Sequence, residues 1–350
     1  MVQYPKQYES AEQLEQHLGD PLNPQSLISF ATAVEQDERE EYPEESCAEL
    51  NRWGLQSFYI PAQLGGQFTS YEELFALLRT VARRDLTTAL VHVMTYVATI
   101  PVWVRGNEEQ QRKYAKLLGD NERIAIALTE KAHGADVLSN EVEAVKVDGG
   151  FLLSGEKWLI SNASRSSAVT LFARTDERGG PRGFSLFVVE KNSVNASTFE
   201  HLPKIKTHGI RGADVGGIAF KNLPVGEDAM IGAAGGGLET TLKSFQVSRT
   251  LLPAPILGAA DTGLRTTLKF TLERRLYGSA VFAIPYVQTQ LSAAFTDLLI
   301  CDCVAIAATR MLHVAPQQMS LWSAVTKYLV PVRIEQQMRS EERRVGKECS

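Results

Sequence analysis

From the start of the chain to about Arg123, apolar residues recur at helical spacing. After Ser70, for example, Leu74, Phe75, Leu77, Leu78 and Val81 fall on one face of a helix. Ser10-Ala-Glu-Gln13 and Ser70-Tyr-Glu-Glu73 have the spacing of capping boxes, which predicts a helix start at each. Ile60-Pro61 and Gly65-Gly66 break the pattern and predict a loop. A further helix is expected from Glu108 to Leu118, ending at Gly119-Asp120. The period then changes. Ile124 to Leu128, Val142 to Val147, Phe151 to Leu153, Ala168 to Ala173 and Phe184 to Val189 are short runs rich in β-branched and aromatic residues. Asp148-Gly149-Gly150 and Arg178-Gly179-Gly180-Pro181 punctuate them, so the middle third reads as an antiparallel β domain. Helical periodicity returns from Gly237 to about Tyr277, from Tyr286 to His313 and from Met319 to Met338. Pro253, Pro255 and Pro331 are expected to kink or interrupt these helices.

The order helix, strand, helix is an α+β layout rather than an alternating βαβ one. It divides the chain into an N-terminal helical domain (1–123), a middle β domain (124–232) and a C-terminal helical domain (233–338). The last residues, 339–350, change composition abruptly inside a helical pattern. Their string, Arg339-Ser-Glu-Glu-Arg-Arg-Val-Gly-Lys-Glu-Cys-Ser350, resembles the translation of a sequencing-adapter oligonucleotide. On that reading 339–350 is a non-native tail and the C-terminal domain is truncated near Met338.

Composition narrows the function classes. With 44% hydrophobic and 22% charged residues in 350, the chain can bury a core, which excludes a disordered or fibrous protein. A net charge of -5 argues against a nucleic-acid partner. Cys47, Cys301, Cys303 and Cys349 are too irregular for a disulfide framework, and Cys301 and Cys303 read as core cysteines. The opening Met-Val-Gln-Tyr-Pro-Lys has no apolar signal segment. Ala89 to Val104, interrupted by His92, Thr95, Thr99 and Pro101, falls short of a spanning helix. A soluble cytoplasmic protein without membrane insertion is expected. The six histidines are scattered, so no metal is expected, and no dinucleotide, P-loop, zincin or hydrolase signature occurs. Gly232-Ala-Ala-Gly-Gly-Gly237 reads as a joint between the β domain and the next helix.

Two segments carry more specific information. One is Ile126-Ala-Leu-Thr129-Glu130-Lys-Ala-His-Gly134-Ala135-Asp136, and the other is Gly155-Glu-Lys157-Trp158-Leu-Ile-Ser161-Asn162. Each is a strand ending in polar side chains. Here the chain resembles the acyl-CoA dehydrogenase family, whose members read approximately T-E-x-x-x-G-S-D and G-x-K-x-W-I-[ST]-N at these places. Gly106 to Tyr114, Phe172-Ala-Arg-Thr175, Gly183-Phe184, Gly212-Ala-Asp214-Val215, Phe220 to Val225 and Leu272-Glu-Arg274-Arg-Leu-Tyr277-Gly278 are similar to further family segments, in order. The resemblance covers almost all of the chain between Ile60 and Met338.

That resemblance implies FAD as cofactor and α,β-dehydrogenation of an acyl thioester, carried by CoA or an acyl carrier protein. It also implies an electron-transfer flavoprotein or another acceptor as partner, and a homodimer or homotetramer when intact. Residues implied to contact the cofactor are Leu128, Thr129, Gly134, Ala135, Ser161, Arg274 and Tyr277. Thr129 and Ser161 would donate to the flavin edge, and Arg274 would reach the pyrophosphate across a dimer interface. Ala135, Phe245 and Arg249 would line the acyl-pantetheine site. Glu130 and Asp136 read as structural carboxylates.

Several positions depart from the family pattern. Ala135 stands for a serine and Leu159 for a tryptophan, and Trp158 is displaced by one, hence expected on the opposite strand face. Lys131 and His133 replace a proline and a small residue, which suggests an altered acyl pocket. No catalytic base is assigned: the main branch of the family places it beyond this chain's end, and the position used by a second branch is Ser248, which cannot serve. An oxidase or monooxygenase on the same fold, and a non-catalytic scaffold paralogue, are the alternative readings.

Overall fold

The computed structural model describes residues 6–346, with side chains described for 7–339. The readings of Met1–Pro5 and of Cys349 lie outside the described residues. The helices are α1 (Lys6–Leu18), α2 (Phe30–Glu38), α3 (Glu44–Trp53), α4 (Tyr71–Ala82), α5 (Leu86–Arg105) and α6 (Glu108–Gly119), then α7 (Gly237–Leu251), α8 (Pro253–Glu273), α9 (Pro285–Val314) and α10 (Met319–Gly346). Between α6 and α7 run β1 (Ile124–Ala127), β2 (Glu143–Val147), β3 (Gly150–Ser161), β4 (Ala168–Arg174), β5 (Phe184–Glu190), β6 (Phe199–Leu202), β7 (Val215–Gly226) and β8 (Met230–Ile231). A hairpin, β9 (Arg275–Leu276) and β10 (Ser279–Ala280), follows α8.

The chain forms two compact units. One takes the residues up to Ala33, Ser70–Ala89 and everything from Gln246; the other takes Val34–Thr69 and Leu90–Phe245.

The first unit is helical: α4 packs on α1, α8 and α9, and α10 packs on α8 and α9. The predicted face of α4 is the buried one, Leu74, Phe75, Leu77, Leu78 and Val81 all being in the core. Ser70 caps α4 by accepting from the Glu72 and Glu73 amides, which satisfies donors the helix leaves free. The other predicted box fails. Ser10 lies inside α1 and gives its hydroxyl to the Glu73 carboxylate, 2.6 Å away. Close packing of α8 on α4 depends on Gly258, where a Cβ would stand 2.6 Å from the Arg79 carbonyl. Buried Arg84 ties this unit together, donating to the Glu15 carboxylate and to the carbonyls of Glu15, Gly19 and Thr80. Pro253 opens α8 and so separates it from α7, whereas α10 runs through Pro331, and through the composition change at Arg339, without a break.

The second unit is built on an eight-stranded sheet ordered β6-β7-β3-β2-β4-β5-β8, with β1 also on β4. The sheet is antiparallel except where β1 and β2 run parallel to β4. The runs Phe151 to Leu153 and Gly155 to Ser161, read from the sequence as separate strands, form the single strand β3 along β7. Phe151, Leu153, Ile160, Leu171, Phe187, Val189, Ile218 and Phe220 form its core. Gly232–Gly236 is the joint that was expected, leading from β8 into α7. Gly235 there has φ 76 and its missing Cβ would sit 2.6 Å from the Arg182 carbonyl.

Among the described residues, two helices are long and apolar enough, by length and composition alone, to cross a membrane. One is α5, which corrects the expectation from Ala89–Val104; 78% of its apolar window is buried, as in a core helix. The other is α9, only 33% buried. Of the two cysteines read as core, Cys301 is buried and Cys303 is exposed.

Candidate functional site

β1 delivers the segment Leu128-Thr129-Glu130 to the end of β3, where the two motifs meet. The Trp158 amide donates to the Thr129 carbonyl at 2.8 Å. Lys157, with no exposed side-chain surface, donates to the Leu128 carbonyl at 3.0 Å and to Glu130 Oε1 at 2.8 Å. Asn140 Nδ2 is a second donor to the Leu128 carbonyl, at 2.8 Å. Glu130 Oε1 also accepts from the Val142 amide at 2.9 Å and Oε2 from the Glu141 amide at 2.7 Å. Burial works to raise the Glu130 carboxyl, but Lys157 and the two amides outweigh it and hold Glu130 below the usual carboxylate range. Burial pulls the Lys157 ammonium down to about 8 against the opposing pull of Glu130. Glu130 is thus the structural carboxylate it was expected to be. The partner role of Lys157 was missed by sequence reasoning, although the residue stands in the second motif.

Gly155 makes this arrangement possible. It has φ 122, and a Cβ there would come within 2.9 Å of Val142 Cγ2, the residue whose amide serves Glu130.

Ser161 is positioned from the other side of the strand end. It pairs with Val215, and the next residue, Asn162, turns with φ 58, its amide donating to the Asp214 carbonyl at 2.7 Å. Asn162 Nδ2 reaches the Val91 carbonyl at 3.0 Å. Asp214 Oδ2 accepts from the amides of Ser164 and Arg165, while Lys191 Nζ holds the Ala163 carbonyl at 2.7 Å. Asp214 belongs to a motif the sequence had already singled out, and Lys191 does not. The side chains these pins present are the hydroxyls of Thr129 and Ser161. Both residues are partly buried, and among the described residues neither hydroxyl has a hydrogen-bond partner.

The remaining candidates are distributed as follows. Gly134 and Ala135 lie exposed on the loop after Glu130, and a Cβ added at Gly134 would meet nothing within 4 Å. Asp136 accepts from the Ser139 hydroxyl at 2.6 Å. Strict alternation, on which the expectation that Trp158 and Leu159 face opposite ways rested, is interrupted here. The β3–β7 register shifts between Lys157 and Ile160, both buried although three residues apart, and Leu159 at φ 57 is half exposed. Trp158 lies under Lys131, whose Nζ is 5.5 Å from the ring centre. His133 faces Glu141 at 3.4 Å.

Arg274 and Tyr277 belong to the helical unit. Arg274 ends α8, and Tyr277-Gly278, both at positive φ, form the two-residue turn of the β9–β10 hairpin. Tyr277 is 98% exposed. α7 is divided between the units, with Phe245 in the sheet unit and Arg249 and buried Ser248 in the helical one. A cleft of about 590 Å³ in the sheet unit is lined by Lys146, Asp176, Arg182 and Glu227 among others, and contains none of these candidates.

Comparison with known proteins agrees with the placement of the motifs. The family description "Acyl-CoA dehydrogenase, N-terminal domain" matches residues 27–122, and "Acyl-CoA dehydrogenase, middle domain" matches residues 125–223. A probable acyl-CoA dehydrogenase, FadE25, of Mycobacterium tuberculosis is 30% identical over 262 residues, which span 74% of this chain and 66% of that protein. The chain therefore spans just under two thirds of that relative's length. Butyryl-CoA dehydrogenase from Megasphaera elsdenii shares the fold with a TM-score of 0.88 at 20% identity, covering 98% of this chain and 89% of that one. The prolyl acyl carrier protein oxidase AnaB shares it with a TM-score of 0.86 at 20% identity, covering 97% and 87%. With both family domains matched in sequence and both motifs meeting at the ends of β1 and β3, the chain belongs to the acyl-CoA dehydrogenase family.

Proposed function

We propose that the whole protein is an FAD-dependent dehydrogenase of acyl thioesters, removing hydrogen across the α,β bond of an acyl-CoA or an acyl-carrier-protein substrate. The observation that carries this reading is the pair of partly buried hydroxyls of Thr129 and Ser161, following β1 and ending β3, which have no hydrogen-bond partner among the described residues. Such a donor set fits the polar edge of an isoalloxazine ring, because a flavin edge left without partners in a dry pocket costs about 1–3 kcal/mol per group. The open space at Gly134 is also compatible with a bound group. Bound FAD supplies the acceptor for the β-hydride. The chain's own part is to orient that ring through Thr129, Ser161 and the Leu128 backbone, and to hold phosphate through the guanidinium of Arg274. No base is assigned, since Ser248 offers only a hydroxyl. An electron-transfer flavoprotein or another acceptor, a homodimer or homotetramer, and a cytoplasmic location complete the proposal.

Because the prolyl acyl carrier protein oxidase AnaB shares the fold, fold alone does not choose the electron acceptor. The deciding experiment is anaerobic stopped-flow mixing of the flavin-loaded full-length protein with acyl-CoA and acyl-carrier-protein panels. Bleaching of the flavin band by a thioester supports the dehydrogenase. Bleaching by NAD(P)H alone points to an oxygenase, and a colourless protein after flavin reconstitution points to a scaffold.

A further inference from the structure

We propose that Lys157 is a positioning residue for the flavin edge: it fastens the backbone carbonyl of Leu128 on one side of Thr129 and the carboxylate of Glu130 on the other, so that the Thr129 hydroxyl is presented in one orientation. The proposal rests on the reading of Thr129 as a flavin contact. Its basis is the way residues 157 and 158 clasp residues 128–130. The Lys157 ammonium takes the Leu128 carbonyl at 3.0 Å and the Glu130 carboxylate at 2.8 Å, and the Trp158 amide takes the carbonyl of Thr129 between them. The carbonyls of Leu128 and Thr129 and Oε1 of Glu130 are thereby occupied, while the Thr129 hydroxyl itself has no partner among the described residues. Its direction is set by the peptide that carries it.

A clasp of this kind is an expensive way to stabilise a fold. Burying an ammonium and a carboxylate costs several kcal/mol per ion before their attraction is counted, and well-packed apolar residues often replace such pairs at no loss of stability. Lys157 is fully buried, with its Nζ 5.8 Å from the ring centre of Phe172, and burial has already lowered its hold on the proton. What the pair supplies that an apolar pair lacks is a charged donor aimed at the Leu128 carbonyl, beside the neutral one from Asn140. Glu130, anchored by the Glu141 and Val142 amides, keeps that donor in place.

The test separates holding the fold from holding the flavin. Full-length protein carrying Lys157→Met, which leaves Glu130 buried and unpaired, is compared with Glu130→Gln/Lys157→Met, which removes both charges. Urea midpoint, FAD dissociation constant and flavin midpoint potential are read for each. Lys157→Met is expected to lose both stability and FAD affinity. In the double variant stability recovers, while FAD binding stays about tenfold weaker than wild type, because one charge-assisted hydrogen bond to the Leu128 carbonyl is still missing. If FAD affinity and potential return together with stability, or never change, Lys157 has only a structural role and the proposal is overturned. Should Lys157→Met fail to fold, the double variant alone carries the comparison. Thr129→Ala in the same assay isolates the underlying reading. Wild-type FAD affinity in Thr129→Ala sinks the flavin contact itself, and weakened affinity there alongside a normal double variant sinks only the role of Lys157.

Discussion

Thr129 and Ser161 hold the two hydroxyls on which the cofactor proposal turns, and each is worth roughly one hydrogen bond of about 0.5–1.5 kcal/mol to a ligand that accepts from it. The double change to alanine is therefore expected to weaken FAD binding by about 5- to 150-fold while leaving the urea midpoint close to wild type. Fluorescence titration of FAD into the apoprotein measures it, and an unchanged dissociation constant removes both residues from the site. His92 makes a second prediction at this scale. It is buried between Tyr59, whose hydroxyl lies 2.7 Å from Nδ1, and Asn51, whose Oδ1 lies 3.1 Å from Nε2. Burial, helped by the charge of Arg123, pushes the imidazole down to about 3. Because the folded value lies below the ordinary one of about 6.5, the unfolded chain takes up the proton first. The stabilising contribution is thus complete above about pH 6.5 and lost as pH falls toward 3, with a slope of at most about 1.4 kcal/mol per pH unit. His92→Gln should flatten that part of the acid limb in urea unfolding between pH 7 and pH 5; an identical slope in the variant would rule His92 out as its source.

At the scale of elements, β3 is the member that unites the motifs. It carries Gly155, Lys157 and Ser161, bends at its register shifts beside Gly155 and after Lys157, and pairs with β2 and β7. A side chain at residue 155 must both adopt φ 122 and displace Val142, since its Cβ would lie 3.0 Å from the Val142 Cα. Gly155→Ala should cost roughly 1–3 kcal/mol in backbone strain alone. It should also loosen the amides of residues 141 and 142 that serve Glu130, so amide hydrogen exchange at those two positions is expected to accelerate more than in β4 and β5. Uniform acceleration across the sheet, or none, would contradict this view of β3.

On the scale of the whole molecule, the helical unit leaves apolar surface uncovered. Phe295, Leu299 and Ile300 on α9, and Leu321 and Tyr328 on α10, are between 46% and 72% exposed. Exposed apolar side chains on two packed helices favour association, in keeping with the proposed oligomer. Sedimentation should show a mass that rises with concentration, and Phe295→Lys/Leu299→Lys should reduce it. A protein that stays monomeric at every concentration would contradict the proposed assembly.

The helices, most strands and the two motif ends were readable in the chain because they depend on neighbours a few residues apart. Periodicity follows backbone geometry, and the Ser70 cap is made by amides two and three residues on. Ser10 has the same local spacing, yet its hydroxyl goes to Glu73, 63 positions away, so no local rule distinguishes the two serines. Likewise Lys157 and Glu130 are 27 positions apart, and Arg84 and Glu15 are 69 apart. In the chain these look like ordinary surface charges, because a buried pair is defined by the desolvation that packing imposes. The slip in alternation around Trp158 was invisible for a related reason: a bulge is created by the partner strand, and nothing in Lys-Trp-Leu-Ile announces that the register will shift there. Two short motifs and the family they resemble thus singled out Thr129 and Ser161, and long-range packing determined which charged groups surround them.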